Sequence, residues 1–404
     1  MTRKNLKRMR VFVTDGYWRK TVAAVRALGR IGLRVTVGES TYLAPGLFSR
    51  YCYRRVRTPS PVLQPSQYLD FLEDYLTHHP HQVLMPMEED TLLLLAQHRE
   101  RFAAITRLPF ASYDSLLFAR DKLEVIRKAT ALGIPTPKTF EITNIDERET
   151  LGRQLQYPVV VKPRVGSGSA GVHYVTEPSQ LSPALEQVFL SGQLPLIQER
   201  LPPDGAGIGA SFLLDQEYNV RASFIHRRIR EYPVEGGPST LRESIIHDQA
   251  RYDGARLVQN LHLTGVAMVE FKIDSRDGKA KLLEVNPRFW GSLALATNAG
   301  VNFPYLLALV ALGLDFPPVL DYRLGHLCRW LLPGDILHFL KNSQRWHLKP
   351  SFFQFCKPNL TYDIIDLRDP LPILGSILAL LPFYLSQDFV HVRTRRGSRT
   401  WNKK

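Results

Sequence analysis

Two apolar runs around one tight turn constrain this chain more than any other feature. Val266-Ala267-Met268-Val269-Glu270-Phe271-Lys272-Ile273-Asp274 reads as a strand, and Ser275-Arg276-Asp277-Gly278-Lys279 as a hairpin turn signalled by Asp-Gly. Leu282-Leu283-Glu284-Val285-Asn286-Pro287-Arg288 reads as the end of the returning strand. Side chains alternate along a strand, so Glu284 and Asn286 share one face. The hairpin sets Glu270 beside Glu284, and two carboxylates in one place repel unless a cation or a proton lies between them. Glu270, Glu284 and Asn286 therefore form a candidate cage for a hard divalent cation, Mg²⁺ or Mn²⁺, which takes carboxylate and amide oxygens and bridges to phosphate. Pro287 ends regular pairing, and Arg288 follows where a planar guanidinium could grip a phosphate. The turn alone is equally compatible with two acids facing water.

Upstream, Arg10–Gly16 reads as a strand and loop, Thr21–Gly32 as a helix, and Leu33–Gly38 as a second strand. This βαβ opening predicts a doubly wound parallel sheet. No G-x-G-x-x-G follows the first strand, so a dinucleotide site is not expected. Gln82–Met87 is a further strand, with Glu88, Glu89 and Asp90 at its carboxyl end. Open α/β sheets bind ligands there, but acids also favour a helix N-terminus, and the helix-capping reading is the preferred one.

Arg120-Asp121-Lys122-Leu123-Glu124 opens a helix that Gly133 and Ile134-Pro135-Thr136-Pro137 stop. Tyr157–Pro163 is a buried-type strand ending in Lys162. The loop Arg164-Val165-Gly166-Ser167-Gly168-Ser169-Ala170-Gly171-Val172 follows. Glycines let backbone N–H groups approach phosphate oxygens, and a strand-end lysine adds a point charge. The lysine precedes the glycines, so this is not a Walker P-loop. Leu196-Ile197-Gln198-Glu199-Arg200-Leu201-Pro202 is a strand entering a turn. Gly207–Leu214 and Tyr218–Ile225 read as successive strands of a lid sheet, and Ile245–Leu261 as a helix.

Asp-Lys, Val-Lys-Pro, the Gly/Ser loop, Gln-Glu, Glu270 and Glu-Val-Asn-Pro-Arg occur in that order over roughly residues 120–300. This ordered set closely resembles the ATP-grasp superfamily, and Phe289-Trp290-Gly291-Ser292 extends the likeness to its carbamoyl-phosphate-synthetase-like, carboxylate–amine ligase branch. The resemblance implies an α/β chain: a Rossmann-like parallel domain over 1–115, an ATP-grasp domain over 116–315 with a lid at about 140–200, and a mostly helical C-terminal extension over 316–404. It further implies that Lys122, Lys162, Gly166, Ser167, Gly168, Ser169 and Gly171 hold the phosphates of ATP. Gln198, Glu199 and Leu201 would form the hinge against the adenine edge. Asp204 would reach the ribose, although the family usually has Glu there and Pro203-Asp204-Gly205 also reads as a plain turn. Glu270, Glu284 and Asn286 would carry Mg²⁺, and Arg288 with Lys162 would act on the transferred phosphoryl group. The activity implied is ATP-dependent joining of a carboxylate and an amine through an acyl phosphate. Its rivals are a phosphotransferase to a hydroxyl and a non-catalytic ATP-binding scaffold. Arg228, Arg230 and Arg242 are candidates to hold an acyl phosphate or a substrate carboxylate, beside the plain reading of a solvated basic strand.

A net charge of +14 points to acidic partners. Part of the excess lies in basic ends, Arg3 to Arg10 and Arg393 to Lys404. No aromatic-interleaved basic motif or zinc module supports nucleic-acid binding. Three scattered cysteines and the lack of a signal-peptide pattern fit a cytoplasmic chain, with contact to the inner membrane face as a further expectation. Leu371–Leu385 is apolar but, at about fifteen residues, shorter than a span requires. It is expected to pack on the catalytic domain or on a second copy of the chain, or to lie on an anionic membrane.

Overall fold

The structure, a computed structural model, describes residues 9–166 and 171–379. Three sheets organise it. The first is parallel, in the order β3-β2-β1-β4, from β1 (Arg10–Val13), β2 (Arg34–Glu39), β3 (Cys52–Arg57) and β4 (Val83–Met85). Val11, Phe12 and Val13 are fully buried because both faces of β1 are covered, which is why the strand reads as a continuous apolar run. The first helix is Arg19–Gly29, slightly earlier than the sequence suggests. The chain leaves it before Gly32, whose φ of +92° makes the turn into β2.

The second sheet is antiparallel, in the order β5-β8-β6-β7, from β5 (Thr139–Glu141), β6 (Val159–Pro163), β7 (His173–Val175) and β8 (Pro195–Glu199). It has its own core, in which Ile142, Leu155, Val161, Leu185 and Ile197 meet. A small separate cluster of Leu123, Ile126 and Leu196 joins it to the Lys122–Ala131 helix.

The third sheet has seven strands. They are β9 (Gly207–Leu214), β10 (Val220–Glu231), β11 (Ser239–Ser244), β12 (Gly265–Ile273), β13 (Ala280–Asn286), β14 (Leu327–Arg329) and β15 (Leu360–Tyr362), in the order β13-β12-β9-β10-β11-β14-β15. This corrects the expectation that the segments 207–214 and 218–225 belong to the lid sheet. β9 pairs with β12 on one side and β10 on the other, and its residues from Ile208 to Leu214 are all buried. Alternation identifies a strand but not its sheet.

The C-terminal extension forms short helical segments, including Ile336–Lys341 and Leu371–Leu378. It also lends β14 and β15 to the large sheet. Its Asp335 and Asp363 seal the basic strands. Arg230 Nε and Nη2 donate to the two oxygens of Asp335, each at 2.9 Å, and Arg329 Nε donates to Asp335 at 2.5 Å. Arg242 pairs with Asp363. Arg230 and Arg242 are therefore structural cations, not substrate ligands. The Leu371–Leu378 helix packs against the short Pro45–Phe48 helix of the N-terminal unit, and its Ile373 and Ser376 also line a small cavity with Arg329 of β14 and Tyr362 of β15. Among the described residues no single helix is long and apolar enough to cross a membrane. The apolar pair Leu293–Ala299 and Phe303–Ala311 is bent by 90° and buried in the core.

Candidate active site

The site is built on the β12–β13 hairpin. Glu270 lies opposite Glu284 in the antiparallel register, with a bulge immediately after Glu270. Asn286 Nδ2 donates to Glu270 Oε1 at 3.3 Å and to Glu284 Oε1 at 3.0 Å, so one amide spans both carboxylates. Burial raises the Glu270 carboxyl above its ordinary value, and the Glu284 charge adds to this, against Arg228. Arg228 pairs with Glu270 and, at 3.2 Å, with Glu231. Of the three arginines named from the sequence, it alone belongs to this site.

Lys122 is placed by two local devices. Asp121 caps its helix by accepting from Leu123 N at 3.0 Å and Glu124 N at 3.4 Å. The Lys122 N–H donates to Arg164 O at 3.0 Å, and Arg164 clasps Asp121 in return. The Lys122 Nζ then donates to Gly166 O at 2.6 Å and stands 3.8 Å from Glu284 Oε2. Lys162, at the end of β6, is buried and donates to Gln198 Oε1 at 2.9 Å, while Gln198 Nε2 donates to Thr139 Oγ1. Burial, then the neighbouring Lys122 charge, lowers the Lys162 ammonium to about 8 despite Glu284 and Glu270. The flanks of the Gly/Ser loop need glycine. Gly166 has φ +147°, and Gly171 has φ +70° with Pro163 Cγ only 3.0 Å from where a Cβ would lie. Ser167, Gly168 and Ser169 lie outside the described residues.

Arg288 lies on the other side of the acids. Its Nη2 donates to Asn286 Oδ1 at 3.1 Å and its Nη1 to Phe289 O at 3.1 Å, and its Nε stands 3.4 Å from Glu89 Oε2. Glu89 also pairs with Arg120. Burial opposes the charge on Glu89, but Arg120 and Arg288 outweigh it and hold the carboxyl below its ordinary value. One cavity is lined by Glu89, Arg120, Lys122, Gly166, Glu284 and Asn286. Glu89 is thus more than the helix-start acid it resembles in sequence, and Arg120 was passed over as the residue before a motif. Both stand at the carboxyl end of the first sheet, the position that open parallel sheets offer to ligands. Asp15 is a further, half-buried acid there. It accepts from Thr91 Oγ1 at 2.7 Å and from Glu88 N at 3.0 Å, and the sequence reading did not single it out.

The hinge residues are less uniform. Glu199 Oε1 accepts from Lys281 Nζ at 3.1 Å and Arg276 Nη2 at 3.3 Å, so its side chain is tied to the hairpin. Leu201 is buried. Asp204 Oδ1 accepts from Ser275 Oγ at 2.8 Å, which sets it against the hairpin turn.

Among the described residues no cluster of three His, Cys, Asp or Glu side chains is placed to hold a metal ion. A cation here would rest on two carboxylates and one amide. The donor set fits a hard divalent ion once the Asn286 amide turns its oxygen toward the acids. Its present orientation is held by Arg288, and amide oxygen and nitrogen are close to isosteric.

Two family profiles match in succession. Residues 121–201 match the one described as carbamoyl-phosphate synthase L chain, ATP binding domain, and residues 224–330 match the one described as ATP-grasp in the biosynthetic pathway with Ter operon. The carbamoyl phosphate synthase large chain of Xylella fastidiosa is 27% identical over 235 residues, which cover 56% of this chain and 22% of that protein. The chain thus matches about a fifth of that relative's length. Among solved structures, the biotin carboxylase domain of Hydrogenobacter thermophilus 2-oxoglutarate carboxylase aligns with TM-score 0.65 at 14% identity, over 79% of this chain and 73% of that one. N5-carboxyaminoimidazole synthetase from Staphylococcus aureus aligns with TM-score 0.62 at 14% identity, over 79% and 80%. At such identities these structures establish the fold, which is shared over most of the chain.

Proposed function

We propose that this chain is an ATP-grasp enzyme, an ATP-dependent carboxylate–amine ligase working through an acyl phosphate, a reading supported by the two family profiles it matches in succession. The observation that carries the reading is the pairing of Glu270 and Glu284 across one hairpin, with Asn286 between them and Lys122, Arg228 and Arg288 around them. Such a concentration of exchangeable charge suits a metal–phosphate assembly better than a solvated turn. The biotin carboxylase domain with the same fold was solved with MgADP and bicarbonate.

In this reading Glu270, Glu284 and Asn286 hold Mg²⁺, which when bound neutralises the phosphate chain and polarises the transferred phosphoryl group. Lys122, Lys162 and the Gly166–Gly171 loop hold the phosphates. Gln198 positions Lys162 from β8, and the 199–201 hinge lies against the base. A substrate carboxylate oxygen attacks the γ-phosphorus and ADP leaves. The amine then attacks the acyl carbon, loses a proton, and inorganic phosphate leaves. Arg288 is held by Asn286 and Glu89 until an anion competes for it, and its second task is to stabilise charge on the phosphoryl group and the tetrahedral intermediate.

The test is phosphate release from MgATP with amino acids and small carboxylates supplied in pairs, followed by mass spectrometry of the active mixtures. ADP with a condensed product supports the ligase. A stable phosphorylated product would mark a phosphotransferase, and tight ATP binding without release would favour the scaffold.

A further inference from the structure

The Leu371–Leu378 helix has two unlike faces. Pro372 and Gly375 are buried, and Gly375 is needed there: an added Cβ would sit 2.9 Å from Pro45 Cα and 2.8 Å from a Phe48 ring carbon. The opposite face exposes Leu371, Leu374 and Ile377 at 51%, 47% and 48%. The loop before the Pro45–Phe48 helix adds exposed Tyr42 and Leu43. Exposed cations lie beside these two segments. The Arg57 guanidinium lies over the Tyr42 ring at 5.3 Å, and Arg50 Nη1 donates to Arg368 O at 3.2 Å. Arg50, Arg57 and Arg368 are exposed and form no ion pair among the described residues. The acids beside these segments are engaged: Asp369 is fully buried and bound by Arg26, Asp366 pairs with Arg30, and Glu39 accepts from Tyr17 N and Ser40. In sequence the described residues are followed by the apolar stretch Leu380-Leu381-Pro382-Phe383-Tyr384-Leu385. Arg393, Arg395, Arg396, Arg399, Lys403 and Lys404 follow, against the single acid Asp388.

We propose that this face docks on an anionic lipid surface, with Leu371, Leu374 and Ile377 entering the headgroup boundary and the neighbouring arginines meeting lipid phosphates and carboxylates. Charge decides the occupant. A second copy of the chain docking by the same face would bring like charges together, which costs energy. Nucleic acid would answer the cations but leave the apolar stripe in water. An anionic bilayer satisfies both.

The experiment is flotation of the full chain with vesicles of phosphatidylcholine alone and with vesicles rich in phosphatidylserine. Binding to the anionic vesicles only, weakening as salt rises, is expected. The double variant Leu374→Glu/Ile377→Glu should lower the bound fraction by about tenfold or more while thermal midpoint and nucleotide binding stay unchanged. Trp346→Ala/Phe353→Ala, on the separate exposed aromatic cluster, should leave flotation unchanged. The proposal falls if the chain ignores anionic vesicles at low salt, binds neutral ones equally, or responds to the aromatic pair instead of the leucine face. It also falls if the double glutamate variant shifts oligomeric state. Vesicle binding needs neither ATP nor substrate, so the result is independent of the ligase reading.

Discussion

Two clusters of arginines and acids on the seven-stranded sheet differ in kind. At the β14 end, Arg230 and Asp335 have side chains 3% and 0% exposed, and Arg242 and Asp363 0% and 1%. At the β12–β13 end, Arg228 and Glu270 are 19% and 14% exposed, and Glu284 is 22% exposed. The first cluster is sealed and its members are fixed by one another. The second opens to a cavity, and its partners can be exchanged for an incoming cation or phosphate. Two residues on β10, Arg228 and Arg230, thus belong to opposite clusters, because the strand is irregular between them. Solvent access and the ability to trade partners, rather than the density of charge, separate a reactive site from scaffolding.

That contrast can be broken from either side. Glu284→Gln should lower ATP turnover by about a thousandfold, the scale of losing a central electrostatic group. Its thermal midpoint should stay close to that of the parent protein, and a turnover assay beside a melting curve checks both. Asp335→Asn should do the reverse. It leaves Arg230 and Arg329 buried without their counter-charge, and should cost roughly 3–5 kcal/mol in denaturant unfolding. Glu89→Gln should act more mildly, lowering turnover by about tenfold by loosening Arg288 and Arg120, with steady-state kinetics as the readout. The smallest effect is a pH dependence. Lys162 in the free protein is charged below about 8 and loses its proton above it. The KM for ATP should therefore rise as pH passes about 8, and Lys162→Arg, with a far more basic side chain, should remove that rise.

The sequence made the hairpin legible because its information is local. Asp277-Gly278 sets the turn, alternation sets the faces, and Glu270 opposite Glu284 follows. The phosphate-side elements are legible for the same reason, as each is a strand end or helix start with its own signal. What could not be read was long-range pairing. Arg230 meets Asp335 and Arg242 meets Asp363 across more than a hundred residues, and Glu89 meets Arg288 across 199. No local period encodes such partners, so all the basic residues of β10 and β11 looked alike. The sheet membership of β9 failed similarly, since a buried strand is equally at home in either sheet. Glu89 does open a helix, as the sequence suggests, but its pairing with Arg120 and Arg288 is long-range and has no local signal.

The two faces of β1 enter different cores. Phe12 joins a cluster containing Phe271, Leu282 and Val285 from the β12–β13 hairpin, while Val11 and Val13 join one containing Phe289, Trp290, Leu293 and Phe303. Glu88, paired with Lys20, and Glu89, near Arg288, stand beside each other at the same junction. In terms of inheritance, the opening segment and the hairpin are therefore one unit of exchange. A recombination event that swapped the first hundred residues for those of a distant cousin would have to rematch two hydrophobic seams at once. Shuffling should be rarer across this joint than at the second sheet, which keeps a core of its own.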